Sequence, residues 1–393
     1  MSLNRRTGAG SVNMSAFVDG FADERFVAVR AQFQANLDGG ADVGASVCMT
    51  LEGRTVVDLW GGLADEASST PWTRETIVNV YSVTKTMTAL TALLVADRGE
   101  LDFDAPVAKY WPEFAANGKR DVKVSHLMSH SSGLSGWKEK ITTDDLYDWE
   151  KATSLLAAQA PFWEPGTKPG YHAITQGYLV GEVIRRITGK SVGTVFREEI
   201  AGPLGADFHI GLPASEDARV ATLIPPPKSA SPTAAPPSEL VINMATNPPV
   251  DNIGATRTRA WRGAEIPAAG GTGNARSVAE VHTILANGGI GRNGKRFMSE
   301  ASVRKALEVQ IEGQDMILGT PVKYGMGFGL PAHIPVPSKN TIFWGGYGGH
   351  LVLIDMDRHT TIAYTMTKMA PSTVGDMRAF GLAMEFWQAS GAV

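Results

Sequence analysis

A single cysteine, Cys48, occurs among 393 residues, so an intrachain disulfide framework is ruled out. It lies in an apolar run and is expected to be a buried strand residue. Dense basic runs are missing too, and the net charge is −4. That leaves no electrostatic footprint for nucleic acid. No apolar run is long enough to span a bilayer: the longest, 87–96, is short, broken by threonines and reads as a buried helix. Residues 1–15 are polar and Gly-rich with Arg5 and Arg6, and no apolar signal-peptide core follows them. The expectation is a soluble cytoplasmic protein with no nucleic-acid or membrane partner.

What is present is ordinary globular composition, 43% hydrophobic and 19% charged. The length suits one large or two ordinary domains with a substantial core. An amphipathic helix is expected over 23–37, ending at Gly39-Gly40. Strand-like runs at 44–51 and 55–60 flank the turn Glu52-Gly53-Arg54, a hairpin signal. A helix follows with Val83, Met87, Leu90 and Leu94 on an apolar stripe, stopping at Gly99. Leu179, Val183 and Ile187 mark another, stopping at Gly189. Ser277 is read as the cap of a third. The stretch 223–250 holds repeated prolines, which excludes regular helix or central strand and reads as a long connection or lid. Strands are expected at 341–344, 351–355 and 360–366, then a closing helix over roughly 374–387. Both chain ends therefore supply one sheet. The expected division is a tail at 1–22, an α/β sheet domain from 23–99 and 270–393, and a mainly helical region at 100–269.

Ser82 and Lys85 stand three apart at the head of the second helix. That spacing puts both side chains on one face, in reach of each other. Ser82 falls in the first turn, where unpaired N–H groups and the positive dipole end favour an anion. S-x-x-K alone also fits a surface helix with a solvated lysine. Other matches fail on context. Gly189-Lys190-Ser191-Val192-Gly193 fits G-x-S-x-G, but a helix, not a strand, precedes it. The same Gly-Lys-Ser lacks the first P-loop glycine, since position 184 is Ile184. His126 and His130 are four apart, yet no acidic residue or third ligand accompanies them. They read as packing or hydrogen-bonding histidines. Gly270-Gly271-Thr272-Gly273-Asn274 lacks the strand–helix context of a nucleotide site.

Four separated segments, in order, carry a resemblance. They are Ser82-Val83-Thr84-Lys85; His126-Leu127-Met128-Ser129-His130-Ser131-Ser132-Gly133-Leu134; Pro165-Gly166 with Tyr171; and Trp344-Gly345-Gly346. Over roughly 25–390 the chain resembles the serine β-lactamase-like hydrolases, which include class C β-lactamases, D-alanyl-D-alanine carboxypeptidases and family VIII carboxylesterases. The resemblance implies an α+β fold of the β-lactamase/transpeptidase type, an α/β sandwich. It implies Ser82 as nucleophile through an acyl-enzyme, Lys85 and Tyr171 as the activating pair, and the backbone N–H groups of Ser82 and Tyr347 as the oxyanion hole. Which of Lys85 and Tyr171 takes the serine proton stays open. No metal or organic cofactor is implied.

Two departures from the family pattern bear on substrate. Tyr171-His172-Ala173 lacks the asparagine of the usual Tyr-x-Asn, and Trp344-Gly345-Gly346 replaces Lys-Thr-Gly. The ammonium and hydroxyl that would meet a β-lactam or peptide carboxylate are gone, and Trp344 supplies an apolar wall. The expectation is a carboxylesterase for small, short-chain esters, with Trp344, Gly345 and Gly346 lining the substrate site, while His172 and His350 either line it or assist a proton transfer, or, as the favoured reading has it, are hydrogen-bonded structural histidines. A β-lactamase or peptidase, an acyltransferase, and a non-catalytic sensor on the same scaffold are the alternatives. Retention of Ser82, Lys85 and Tyr171 together speaks against the last.

Overall fold

The computed structural model describes residues 16–227, 237–249, 253–332, 334–372 and 375–393. Its main antiparallel sheet is built from β1 (Val18–Ala22), β2 (Gly44–Leu51), β3 (Arg54–Asp65), β4 (Thr341–Gly346), β5 (His350–Asp355) and β6 (Thr360–Met366). Their spatial order is β1-β3-β2-β6-β5-β4, and the short strand Thr70–Pro71 adds to β3. The β2–β6 pairing, with Cys48 opposite Ala363, joins the two ends of the chain. Glu52 and Gly53 both have positive φ, 51° and 76°. This is the two-residue turn whose twist matches that of a hairpin.

β5 and β6 are buried along their whole length, and β2 nearly so. Helices cover both faces of the sheet, so the alternation of a half-exposed strand is absent. Ala275–Ala286 lies on one face, where Thr361 Oγ1 donates to Ala279 O (3.2 Å). Val27–Asp38 and Met377–Ser390 pack together on the other. The helix-rich stretch, including Thr84–Asp97 and Thr175–Thr188, lies between the halves of the sheet in sequence. A hairpin, Ile311–Gln314 with Pro321–Tyr324, reaches the edge strand β4 through Gly329, which exchanges two backbone hydrogen bonds with Phe343 (3.0 and 3.1 Å).

Several expectations need correction. Val18–Ala22, assigned to the tail, is an edge strand paired with β3. Thr84–Asp97 is the buried helix expected at 87–96, but burial is not confined to its apolar stripe: every residue from Thr84 to Val95 is buried. Its threonines are tolerated because each hydroxyl finds a carbonyl, such as Thr86 on Val83 O (2.7 Å) and Thr88 on Pro267 O (2.7 Å). The cap before Ala275 is Asn274, and Ser277 completes the capping box three residues on. Glu239–Thr246 forms a helix capped by Ser238 inside the proline-rich stretch, because prolines flank these residues without interrupting them. The remainder of that stretch lies partly outside the described residues. Among the described residues no helix is long and apolar enough to cross a membrane.

Candidate active site

Ser82 sits in a tight turn, Tyr81–Val83, that feeds directly into Thr84–Asp97. Tyr81 has φ 44°, a conformation costing about 1–3 kcal/mol for a side-chain-bearing residue. The surroundings hold it there. Thr84 Oγ1 donates to Tyr81 O (2.5 Å) and accepts from Gly271 N (2.9 Å). Val80 N donates to Gly271 O (2.9 Å), and Asn79 Nδ2 reaches Ala269 O (3.1 Å). The glycine-rich segment dismissed as a nucleotide loop is therefore the brace behind the serine.

The Lys85 side chain is buried, and its Nζ has three neighbours: Ser82 Oγ at 3.0 Å, Ala173 O at 2.7 Å and Ala268 O at 3.0 Å. Burial holds its pKa well below the ordinary lysine value, and no carboxylate opposes that shift. Tyr171 donates its hydroxyl to Ser82 Oγ at 2.6 Å. Burial pushes this phenol up to about 12, although its hydrogen bonds with Ser82 and Trp344 pull the other way. An amine whose charged form is disfavoured by burial and a protonated phenol thus meet at one partly exposed serine oxygen.

The segment carrying Tyr171 is pinned residue by residue. Met316 N donates to Pro169 O (3.0 Å) and Gly170 N to His130 O (2.9 Å). Tyr171 N donates to Asp315 Oδ1 (3.0 Å), and His172 N to His130 Nδ1 (3.1 Å). His130 packs its ring against Tyr171, Tyr324 and Trp344, with centroids 5.1, 5.0 and 5.3 Å away.

At the third segment, the end of β4 comes against the Ser82 turn. A Cβ on Gly346 would lie 2.3 Å from Val80 O, so only glycine allows this approach. Tyr347 follows, its ring edge-on to Tyr81 at 5.6 Å. Trp344 and Gly345 line a cavity of about 140 Å³ with Tyr171, Leu318, Val322, Leu330, Ile334 and Phe343. Lys323, the charged residue in that wall, is paired with Glu312 (3.0 Å).

Of the readings open for His172 and His350, burial fits a structural role better than a place in the substrate site. His172 is fully buried; its Nε2 meets Ser132 Oγ (2.9 Å) and Leu134 N (3.1 Å), and its Nδ1 meets Gly170 O (2.5 Å). It stands behind Tyr171 as a buried cross-link, with its pKa lowered by burial to about 4. His350 is also fully buried, packed against Gly346. Asp315 and the carbonyl of Ala268 were missed in the sequence. Both lie outside the four segments that carry the resemblance.

The beta-lactamase family model matches residues 29–383. The esterase/beta-lactamase LipL of Mycobacterium tuberculosis is 34% identical over 385 residues, 92% of this chain and 86% of that protein. The crystal structure of a family VIII carboxylesterase superposes with a TM-score of 0.90 at 40% identity, covering 95% of this chain and 100% of the other. A penicillin-binding protein homolog from Caulobacter crescentus gives 0.89 at 34% identity, with coverage of 95% and 100%.

Proposed function

The chain belongs to the beta-lactamase family, and within it we propose a serine carboxylesterase that works through an acyl-enzyme on Ser82. One observation carries the reading: the three neighbours of Lys85 Nζ. A neutral amine has two hydrogens and one lone pair. The carbonyls of Ala173 and Ala268 take the hydrogens, which leaves the lone pair for the Ser82 hydroxyl proton. Lys85 is then the general base in this proposal, and Tyr171 keeps its proton.

The steps follow in order. Ser82 Oγ attacks the ester carbonyl as its proton passes to Lys85. The N–H groups of Ser82 and Tyr347 stabilise the tetrahedral oxyanion. Collapse breaks the ester C–O bond. The leaving alkoxide takes a proton from Tyr171, which is restored from the Lys85 ammonium across the Ser82 site. Water then attacks the acyl-enzyme, and its proton follows the same route in reverse.

Tyr171 protonates the alcohol oxygen, so the alcohol half of the ester belongs on the Tyr171 side. The apolar cavity beside Tyr171 and Trp344 is therefore assigned to that half. The relatives named for esterase activity support the same reading. A β-lactam carboxylate would find no free cation at Trp344.

The test is turnover of p-nitrophenyl acetate, p-nitrophenyl butyrate and nitrocefin by the protein and by Ser82→Ala. Ester turnover that disappears in the variant, with little nitrocefin cleavage, is expected. Undiminished ester turnover in the variant would remove Ser82 as nucleophile, and dominant nitrocefin cleavage would favour a β-lactamase.

A further inference from the structure

We propose that Asp315 is a positioning residue for Tyr171, clamping the activating phenol to the hairpin that walls the cavity. The proposal rests on the role given to Tyr171 above. Asp315 lies in the turn between the two strands of the hairpin Ile311–Gln314/Pro321–Tyr324, and its side chain is buried. Its Oδ1 accepts from three backbone donors: Ile317 N (2.8 Å), Leu318 N (2.8 Å) and Tyr171 N (3.0 Å). Its Oδ2 accepts from the Tyr324 hydroxyl (3.1 Å). The first two bonds shape the turn. The third leaves the hairpin and holds the backbone of a residue 144 positions away.

One backbone bond, Met316 N to Pro169 O (3.0 Å), runs alongside it. Together the two bonds fix where the Tyr171 phenol stands relative to Ser82. A buried carboxylate in this position has no cationic partner within ion-pair distance among the described residues. Four hydrogen-bond donors satisfy it instead. Removing it leaves the Tyr171 N–H without its acceptor. The phenol then loses its fixed distance to Ser82 Oγ, and misplacement of about 1 Å can cost roughly a hundredfold in rate.

The experiment is a double-mutant cycle on p-nitrophenyl acetate, pairing Asp315→Ala with Tyr171→Phe, with thermal unfolding of each variant. Asp315→Ala is expected to lower kcat about tenfold or more in the Tyr171 protein. In the Tyr171→Phe background it should cost less than about twofold, because no phenol remains to be positioned. Asp315→Asn, whose amide oxygen still accepts from the three N–H groups, should restore kcat to within about threefold.

An equal loss from Asp315→Ala in both backgrounds would assign Asp315 to hairpin stability alone and overturn the proposal. So would an unchanged kcat in Asp315→Ala. If Asp315→Ala does not fold, an Asp315→Asn protein whose kcat falls tenfold would overturn it as well. Undiminished activity of Tyr171→Phe on its own would sink the role of Tyr171, a separate result visible before the cycle is read.

Discussion

Tyr171 Oη and Ser82 Oγ lie 2.6 Å apart although the two residues belong to segments 89 positions apart in the chain. The contact exists because each residue is held from behind. Thr84 and Gly271 hold the Ser82 turn. His130, Asp315 and Lys85 hold the Tyr171 segment.

The pH dependence of kcat/KM should report the two proton states assigned here. Lys85 is lowered by burial, so activity is expected to rise with pH through an acid limb well below 10.5. Activity should fall again only in strong alkali, as Tyr171 loses its proton near about 12. Lys85→Arg keeps a charge that cannot be shed, and should lose about 10²–10⁴-fold in kcat. An acid limb at the ordinary lysine value would contradict a neutral resting amine.

Gly346→Ala should inactivate without unfolding the protein. Its Cβ would press on Val80 O and shift the turn that carries Tyr81 and Ser82. A kcat loss of about tenfold or more is expected, with a melting temperature lowered by only a few degrees, read by steady-state kinetics and calorimetry. Wild-type kcat would mean that the close approach has no bearing on the serine.

Four buried histidines should make the fold acid-sensitive, with burial holding His130 well below its ordinary value. Burial lowers His172 and His282 to about 4 and His350 to about 3. The unfolded chain binds these protons near 6.5, before the folded one does. Stability is therefore full above about pH 6.5 and drains away as pH falls towards 4. The urea midpoint should fall across that window. His172→Ala, which leaves Leu134 N without its acceptor, should lower stability by about 2–4 kcal/mol at pH 7. A midpoint flat from pH 7 to 4.5 would refute the assignment of neutral buried rings.

Leu318→Trp should narrow the cavity beside Tyr171. Relative to ethyl acetate, kcat/KM for 1-naphthyl acetate is expected to drop about tenfold or more, the range that pocket contacts command. A series of p-nitrophenyl esters of rising acyl length should keep its order. The opposite pattern would assign the cavity to the acyl half.

The fold was largely legible because turn chemistry and periodicity agree with it. Glu52-Gly53 marks the β2–β3 hairpin, and Gly189 ends Thr175–Thr188 in the left-handed conformation. The helix of Ser82 was legible as a buried helix, but the reason its threonines are tolerated was not. Threonine reads as polar, and only tertiary carbonyls such as Pro267 O explain Thr88 in a core. Within the site, Ser82, Lys85 and Tyr171 were found through ordered motifs, and the structure brings them together. For His172 the sequence left a pocket role and a structural role open, because motif adjacency does not reveal which way a side chain faces; its burial fits the structural one. Asp315 had no signal, since an aspartate before a turn looks the same whether it serves the turn alone or reaches across the molecule.

The order in which the sheet is assembled has a consequence for synthesis of the protein. Ser82 and Lys85 leave the ribosome early, but the strand ending at Gly346 and the β6 strand that joins it to β2 emerge among the last residues. A nascent chain therefore carries the proposed nucleophile long before the strand that packs against its turn is made. Premature termination between Lys85 and Gly346 yields a polypeptide with the serine and lysine but without that strand.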